Sequence, residues 1–297
     1  MVILLGLTAA VLYGSGDFLG GLATRRAHVL PVLLLADIAG VVVALAAAAM
    51  SGGAISLVGL AWGLSAGLIG GFGLIVFYIG LAAGPMSVVA PVSGLVSTIL
   101  PVAVALAEGE RPAAGVYAGA LLCLVAVVLA SSAGPAGTSA GAADTGSAQG
   151  RQKPGRAVVY GVVSGAAFGL FFLLIRNAGQ SGELWPVAAG RIGELASLLI
   201  TAAMLRRSLL PGGTSQTSGT SSRLLMTAAA AGVIDVIANV CYVAATRTGM
   251  FGLAVVLSSL YPGVTVLLAR VVLGERLRWV QRAGLALAAI GILLVAL

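Results

Sequence analysis

The stretch from Pro101 to Arg111, PVAVALAEGER, has a second version from Pro262 to Arg276, PGVTVLLARVVLGER. Each version begins with proline, continues as an apolar run and ends in Gly-Glu-Arg. One last apolar segment that contains glycine follows each of them. Because the two versions hold the same relative place, we predict that the chain consists of two similar halves.

The composition excludes a water-soluble globule. Of 297 residues, 60% are hydrophobic and only 8% are charged, which leaves too little polar surface to cover a domain in water. Apolar runs long enough to cross about 30 Å of hydrocarbon occur repeatedly. They lie at 2–23, 29–50, 56–82, 86–107, 113–131, 157–176, 185–205, 224–246, 250–273 and 279–297. The runs lack the alternation of a membrane β-barrel, so we predict an all-α polytopic membrane protein with ten transmembrane helices.

The ten predicted helices divide into two sets of five around a polar segment. Residues 132–155 are rich in Gly, Ala, Ser and Pro and predict a flexible linker. We therefore expect a first repeat at 1–131 and a second at 156–297. An odd number of helices per repeat inverts the second repeat in the bilayer, a pattern typical of transporters that expose one central site to each side in turn.

Several polar side chains are predicted to lie at membrane depth, where one charge costs on the order of 3 kcal/mol. Such groups usually face a partner or a pathway. The candidates for substrate binding or coupling are Asp17, Asp37, Tyr78, Arg191, Glu194, Asp235, Asn239 and Tyr242.

Arg191 has two interpretations. It stands three residues before Glu194 on one face of a helix, so the two can form a structural ion pair. Alternatively, aligning Ile38 with Ile192 places Asp37 opposite Arg191, on two walls of one midplane cavity. On this second hypothesis Arg191 binds a substrate carboxylate or another anion, while Asp37 or Asp235 faces an ammonium group or carries a proton.

For the aromatic residues and the prolines, too, both a functional and a purely structural role are open. Tyr13, Phe77, Tyr78, Tyr242 and Tyr261 can line the same cavity or simply pack. Pro91, Pro101 and Pro262 are expected to interrupt helices 4 and 9, for gating or as static kinks. Glycine at every fourth position, in 63–71 and again in 161–169, predicts close helix packing.

Four segments together resemble a known family. They are Tyr13–Gly21 (YGSGDFLGG), Tyr78–Met86 (YIGLAAGPM), Pro91–Arg111 and Leu257–Arg276. The chain resembles the drug/metabolite transporter superfamily, in the form with two EamA-type domains. The resemblance implies ten helices as two inverted repeats, a central cavity, and transport of small metabolites such as amino acids, nucleobases or drugs. Many members have arginine in both helix 2 and helix 7, whereas helix 2 here offers Asp37.

The family signature also includes the glutamates of the two Gly-Glu-Arg elements, Glu110 and Glu275. Each glutamate stands beside an arginine just beyond an apolar run, at Arg111 and Arg276. We expect a structural cap or an interfacial ion pair there rather than substrate binding.

These observations predict a secondary active transporter, acting as an exporter of small organic metabolites such as amino acids or drugs, with a proton as the coupling ion. The alternatives are a non-transporting membrane sensor or assembly subunit, and a membrane-embedded enzyme. An enzyme is not expected, because one histidine and no ATP-binding loop are present. Metal and cofactor are not expected either. The partners are the substrate and the lipid bilayer, without nucleic acid, and the chain is expected to act as a monomer, with a homodimer as the alternative.

The basic residues also predict an orientation. One set of loops or helix ends contains Arg25, Arg26, Arg151, Lys153, Arg156, Arg206, Arg207, Arg223, Arg270, Arg276, Arg278 and Arg282. The other set contains only Arg111, Arg176 and Arg247. By the positive-inside rule the first set is cytoplasmic, which places both termini outside. We expect a multi-pass protein of the inner (plasma) membrane, and the Ala, Gly and Arg bias favours a bacterial source.

Overall fold

The computed structural model describes residues 1–24, 29–83, 86–111, 114–132, 154–179, 184–205, 222–273 and 279–296. Within these ranges the chain is helical and contains no strand. The helices are α1 (Val2–Thr24), α2 (Val29–Ser51), α3 (Leu57–Ala83), α4 (Met86–Ala107), α5 (Ala114–Ser132), α6 (Pro154–Gly179), α7 (Trp185–Leu205), α8 (Ser222–Thr248), α9 (Phe251–Ser258), α10 (Tyr261–Leu273) and α11 (Trp279–Ala296).

Six of the described helices are long and apolar enough to cross a membrane. They are Val2–Ala23, Leu30–Ser51, Leu57–Phe77, Val158–Gly179, Trp185–Ala203 and Ser222–Thr248. Shorter apolar helices lie at Val92–Ala107, Ala114–Ala126, Phe251–Thr265 and Arg282–Leu294. In hydrocarbon a helix satisfies its own backbone hydrogen bonds, so these segments have the form that a bilayer requires. The prediction of a polytopic all-α membrane protein is confirmed.

The predicted helix over 250–273 is two helices, and the break lies next to Pro262, where an interruption was predicted. α9 ends at Ser258 and α10 begins at Tyr261. The turn between them is closed by Ser259 N–H, which donates to Val255 O at 2.9 Å, and by Leu260 N–H, which donates to Leu257 O at 3.2 Å. Pro262 has no N–H to donate to the Ser258 carbonyl and favours the first turn of a new helix. The helix therefore restarts at this point.

The two prolines in the first half have a different effect. α4 continues from Met86 to Ala107 through both Pro91 and Pro101. Of the three predicted interruptions, the described backbone has a break only at Pro262.

The helices before and after the linker pack mainly against one another. α1 packs on α8, α2 on α7 and α8, α3 on α6 and α7, α4 on α6 and α9, and α5 on α11. Most neighbours along the chain, such as α1 and α2, touch much less, although α4 and α5 pack on each other as α4 and α9 do. The core of the protein is therefore an interface between residues of the two halves.

Rows of glycine make the closest of these contacts. Gly63 lies against the Pro186 carbonyl and Gly67 against the Gly190 carbonyl, so α3 and α7 meet backbone to backbone. A Cβ at either glycine would overlap the opposing main chain. Gly165 lies against Ser93 in the same way, where α6 meets α4. The predicted role of these glycines in close packing is confirmed.

Candidate functional site

Arg191 lies at the centre of a charged cluster between the two halves. It is on α7 and is only 6% exposed. Its Nη1 atom lies 2.9 Å from Glu194 Oε2 on the same helix and 3.5 Å from Asp37 Oδ1 on α2. Its Nη2 atom pairs closely with Asp235 Oδ2 on α8. One guanidinium thus joins carboxylates from three helices.

A hydrogen-bonded chain extends this cluster towards α1. Asn239 stands one turn after Asp235 on α8, and its Nδ2 donates to Asp235 Oδ2 at 3.1 Å. The Tyr13 hydroxyl on α1 then donates to Asn239 Oδ1 at 2.9 Å. The polar contacts therefore run without a gap from Tyr13 through Asn239 and Asp235 to Arg191 and Asp37. We call Tyr13, Asp37, Arg191, Glu194, Asp235 and Asn239 the Arg191 network.

Small residues allow these helices to approach. Gly232 of α8 lies against the Ala36 carbonyl of α2, where a Cβ would overlap it. Gly40 lies one turn further along α2, and a Cβ there would stand 3.5 Å from Arg191 Cδ. Asp37 is held between these two contacts. A short carboxylate can therefore reach an arginine on the neighbouring helix.

The charges of the network do not balance. Among the residues that the structure describes, Arg191 is the only base paired with Asp37, Glu194 and Asp235. Asp37 is 5% exposed, and its Oδ2 atom is buried without a hydrogen-bond partner in the described structure. A buried carboxylate oxygen usually has a partner, because leaving it unpaired costs about 1–3 kcal/mol. The network therefore has one unused acceptor and more acidic groups than basic ones among the described residues.

Aromatic side chains adjoin the network at Tyr13. The Tyr13 ring meets Phe172 edge to face at 6.4 Å and Tyr261 at 6.3 Å between ring centroids. The ring centroids of Phe172 and Tyr242 lie 4.9 Å apart, and the Tyr242 hydroxyl donates to the Phe172 carbonyl at 3.2 Å. We call Tyr13, Phe172, Tyr242 and Tyr261 the aromatic group. It combines residues of α1, α6, α8 and α10, so it too lies between the halves.

Of the other predicted site residues, Asp17 and Tyr242 lie outside the Arg191 network. Asp17 on α1 is exposed and forms no ion pair within the described part of the chain. Tyr78 lies in α3, but its side chain is outside what the structure describes, and so is Glu275. Tyr242 is fully buried and belongs to the aromatic group rather than to the ion pairs.

Glu110, for which a structural cap or an ion pair was predicted, accepts hydrogen bonds from the start of a helix in the other half. Its Oε1 accepts from the Phe251 N–H at 2.5 Å, and its Oε2 accepts from the Gly252 N–H at 3.0 Å. These are the first N–H groups of α9, which lack partners within their own helix. Nearby, Arg176 Nη1 lies 2.7 Å from Glu108 Oε2, and its guanidinium carbon lies 4.2 Å from the Phe251 ring centroid.

Sequence reasoning missed Phe172 and the pair Glu108 and Arg176. Phe172 is one of several aromatics in an apolar helix, and the sequence contains no signal that separates it from packing residues. The pair had a weak signal, because Glu108 and Arg176 both stand at helix ends. Within the described residues, no group of three His, Cys, Asp or Glu side chains has the arrangement of a metal site.

Comparison with known proteins agrees with this architecture. The sequence model of the EamA-like transporter family matches residues 155–297, which agrees with the resemblance noted from the sequence for this part of the chain. One protein of known crystal structure aligns over 100% of this chain and 98% of its own, with a TM-score of 0.71 and 19% sequence identity. At that identity the likeness shows a common fold. No curated protein sequence matches the chain.

Proposed function

We propose that this chain is a secondary active transporter that exports a small organic solute, because its residues 155–297 match the model of the EamA-like transporter family. The solute is expected to bind at the Arg191 network, between the two halves. The observation that supports this site is the buried arginine itself, held by carboxylates from α2, α7 and α8. Charged groups at membrane depth are costly and are usually retained for a pathway or a binding site.

The packing of the helices supports a repeat with alternating access. We propose that residues 1–131 and 156–297 are inverted repeats joined by the linker 132–155. α1 packs on α8 as α3 packs on α6, and α2 packs on α8 as α3 packs on α7. Exchanging the halves converts each contact into its partner, which is what a pseudo-two-fold axis in the membrane plane would produce. A rocking motion about this axis would open the network to one side at a time.

Coupling, orientation and assembly follow as parts of the same proposal. A proton is the expected coupling ion, because the carboxylates outnumber the base in the network. The chain is expected to act as a monomer in the inner membrane, since both halves of the site are in one polypeptide. Both termini are expected outside. A reporter fused after Leu297 that is active only in the cytoplasm would contradict this orientation.

A flux measurement in liposomes tests the function. Purified protein would be reconstituted and loaded with amino acids, nucleobases or organic amines, one labelled compound at a time. We expect saturable counterflow of one class, reduced at least about tenfold in Asp235→Asn and retained in Arg223→Gln, an exposed basic residue at the start of α8. Folded protein that moves none of these compounds faster than empty liposomes would favour a sensor or an assembly subunit. Conversion of a compound into a product would favour an enzyme.

A further inference from the structure

The Arg191 network has no positive charge to spare for an anionic substrate. Nη1 of Arg191 faces Asp37 and Glu194, and Nη2 faces Asp235. Both ends of the guanidinium that would grip a substrate carboxylate in a bidentate pair are therefore occupied. This arrangement does not favour the hypothesis that Arg191 binds an anion.

The network has negative charge to spare. With all three carboxylates ionised, the single guanidinium leaves a formal charge of about −2 in a site where Asp37 and Arg191 are almost fully buried. The Oδ2 of Asp37 is an acceptor that no donor in the described structure uses. A solute that brings both a positive charge and an N–H group would satisfy both requirements at once.

The aromatic group adds a second element of recognition. Tyr13 belongs both to the hydrogen-bonded chain and to the ring contacts with Phe172 and Tyr261. These three side chains are partly exposed, whereas Tyr242 behind them is buried. The faces of phenol and benzyl rings attract cations and accommodate apolar groups. Carboxylates with adjoining aromatic rings therefore fit an organic ammonium ion with an apolar or aromatic body.

We propose that the substrate of this transporter is an organic cation with at least one N–H group, which donates to Asp37 while its apolar part contacts the aromatic group. This inference rests on the proposed transport function and narrows its substrate class. Acidic metabolites are excluded by repulsion from the surplus carboxylates. Zwitterionic amino acids are disfavoured, because their own carboxylate finds no free base among the described residues of the site.

Four probes that share one phenylethyl skeleton test the proposal. They are 2-phenylethylamine, phenylalanine, 2-phenylethanol and 3-phenylpropanoate, which differ in charge. Thermal unfolding of the purified protein reports binding, because a ligand of the folded state raises the midpoint. We expect the amine to stabilise the protein most and the carboxylate not at all.

Two variants test whether stabilisation by the amine depends on Asp37. Asp37→Asn removes a surplus negative charge, so the ligand-free variant is expected to fold, with an unfolding midpoint no lower than that of the parent protein. It should bind the amine at least about tenfold more weakly. Glu108→Gln removes a carboxylate outside the network, one that is 48% exposed, and should bind the amine as the parent protein does.

The outcomes separate the two proposals. Equal stabilisation by the amine and the carboxylate, an amine effect unchanged in Asp37→Asn, or no effect of the amine would overturn the cation inference. Counterflow of the carboxylate or the alcohol without the amine would also overturn it, while leaving transport in place. Binding of the amine that depends on Asp37, without flux of any probe, would support the cation site and contradict transport.

Discussion

Arg191 carries the positive charge that compensates the carboxylates of the Arg191 network. It compensates part of the charge of three carboxylates, and these have no other basic partner in the described part of the protein. Removing one member of a buried ion pair usually costs about 3–5 kcal/mol, because the partner is left buried with its charge. The site is thus more sensitive to loss of the base than to loss of any one acid.

This sensitivity gives a prediction for Arg191→Met. The substitution keeps an unbranched side chain but leaves the acids uncompensated, so we expect the free energy of unfolding to fall by about 3–5 kcal/mol. Adding Asp37→Asn to this variant should restore part of the loss. Arg176→Met is the control, because Arg176 pairs with the half-exposed Glu108 and contacts the Phe251 ring, so its loss should cost only about 1–2 kcal/mol. Thermal unfolding in detergent compares them, and equal losses in both single variants would contradict the prediction.

The sequence predicted which residues lie near one another in the Arg191 network better than it predicted which ion pairs they form. The alignment of the halves predicted that Asp37 faces Arg191, and the spacing of Arg191 and Glu194 predicted their ion pair. Asp235 could not be paired in advance, because the contact depends on how closely α8 approaches α7 and α2. That distance is set by Gly232 and its neighbours, and no periodicity along a single helix determines it.

Helix α9 shows how one element can depend on a residue far away in the chain. Its first N–H groups bond to the carboxylate of Glu110, which follows α4. A negative charge at a helix N-terminus is favourable, typically by 0.3–1 kcal/mol and by up to about 2 kcal/mol when partly buried. The Gly-Glu-Arg element of the first half therefore fixes where a helix of the second half begins.

Glu110→Gln tests this cap. The variant loses the charge and one of the two well-placed acceptors, so we expect the free energy of unfolding to fall by about 1–2 kcal/mol. Glu108→Gln changes the same residue type two positions earlier, at an exposed ion pair, and should cost about 0.5 kcal/mol or less. The unfolding midpoints of the two variants, measured side by side, show whether Glu110 contributes more to stability than Glu108. A larger loss in Glu108→Gln would show that the cap adds nothing.

The close contact between helices α3 and α7 gives a second prediction, about helix packing. Gly67→Ala places a Cβ against the Gly190 carbonyl, and the two helices must separate to relieve the overlap. Overpacking of this kind typically costs about 1–3 kcal/mol. Gly20→Ala on α1 meets nothing within 4 Å and should be neutral or slightly stabilising, by up to about 1 kcal/mol. Differential scanning calorimetry of the two variants measures their unfolding midpoints. Equal midpoints would argue against close packing at Gly67.

Most helices could be predicted from apolar length, but which of the three prolines breaks its helix could not. The run over 250–273 is largely apolar, and Ser258, Ser259 and Pro262 are the residues in it that mark the break. Pro262 marked the region, yet Pro91 and Pro101 lie within an unbroken α4. Whether a proline ends a helix in a membrane depends on which neighbours satisfy the freed carbonyl, and those neighbours belong to other helices.

At the scale of the whole molecule, the two halves are not independent units. Each helix of one half packs mainly on helices of the other, from the pair α1 and α8 to the pair α5 and α11. The apolar and polar surfaces of one half are therefore incomplete without the other. Stability should depend on association of the halves more than on the linker between them.

A protease site inserted in the linker tests this dependence. After cleavage within 132–155 in detergent, we expect the two fragments to remain together, with an unfolding midpoint within a few degrees of the uncut protein. Residues 156–297 expressed alone should aggregate or be degraded, because the faces of α6, α7 and α8 lose their partners. Size-exclusion chromatography of the cut protein measures the association. Fragments that separate while still folded would contradict the prediction.

The contact between Asp37 and Arg191 also determines whether one half of the chain could pair with a second copy of itself. α2 and α7 meet across the centre with opposite charges. Two copies of the first half docked on each other in this way would set aspartate against aspartate, and two copies of the second would set arginine against arginine. Like charges at such an interface cost several kcal/mol. Neither half is therefore suited to self-pairing, and synthesis as one polypeptide supplies the two complementary charges in a fixed ratio of one to one.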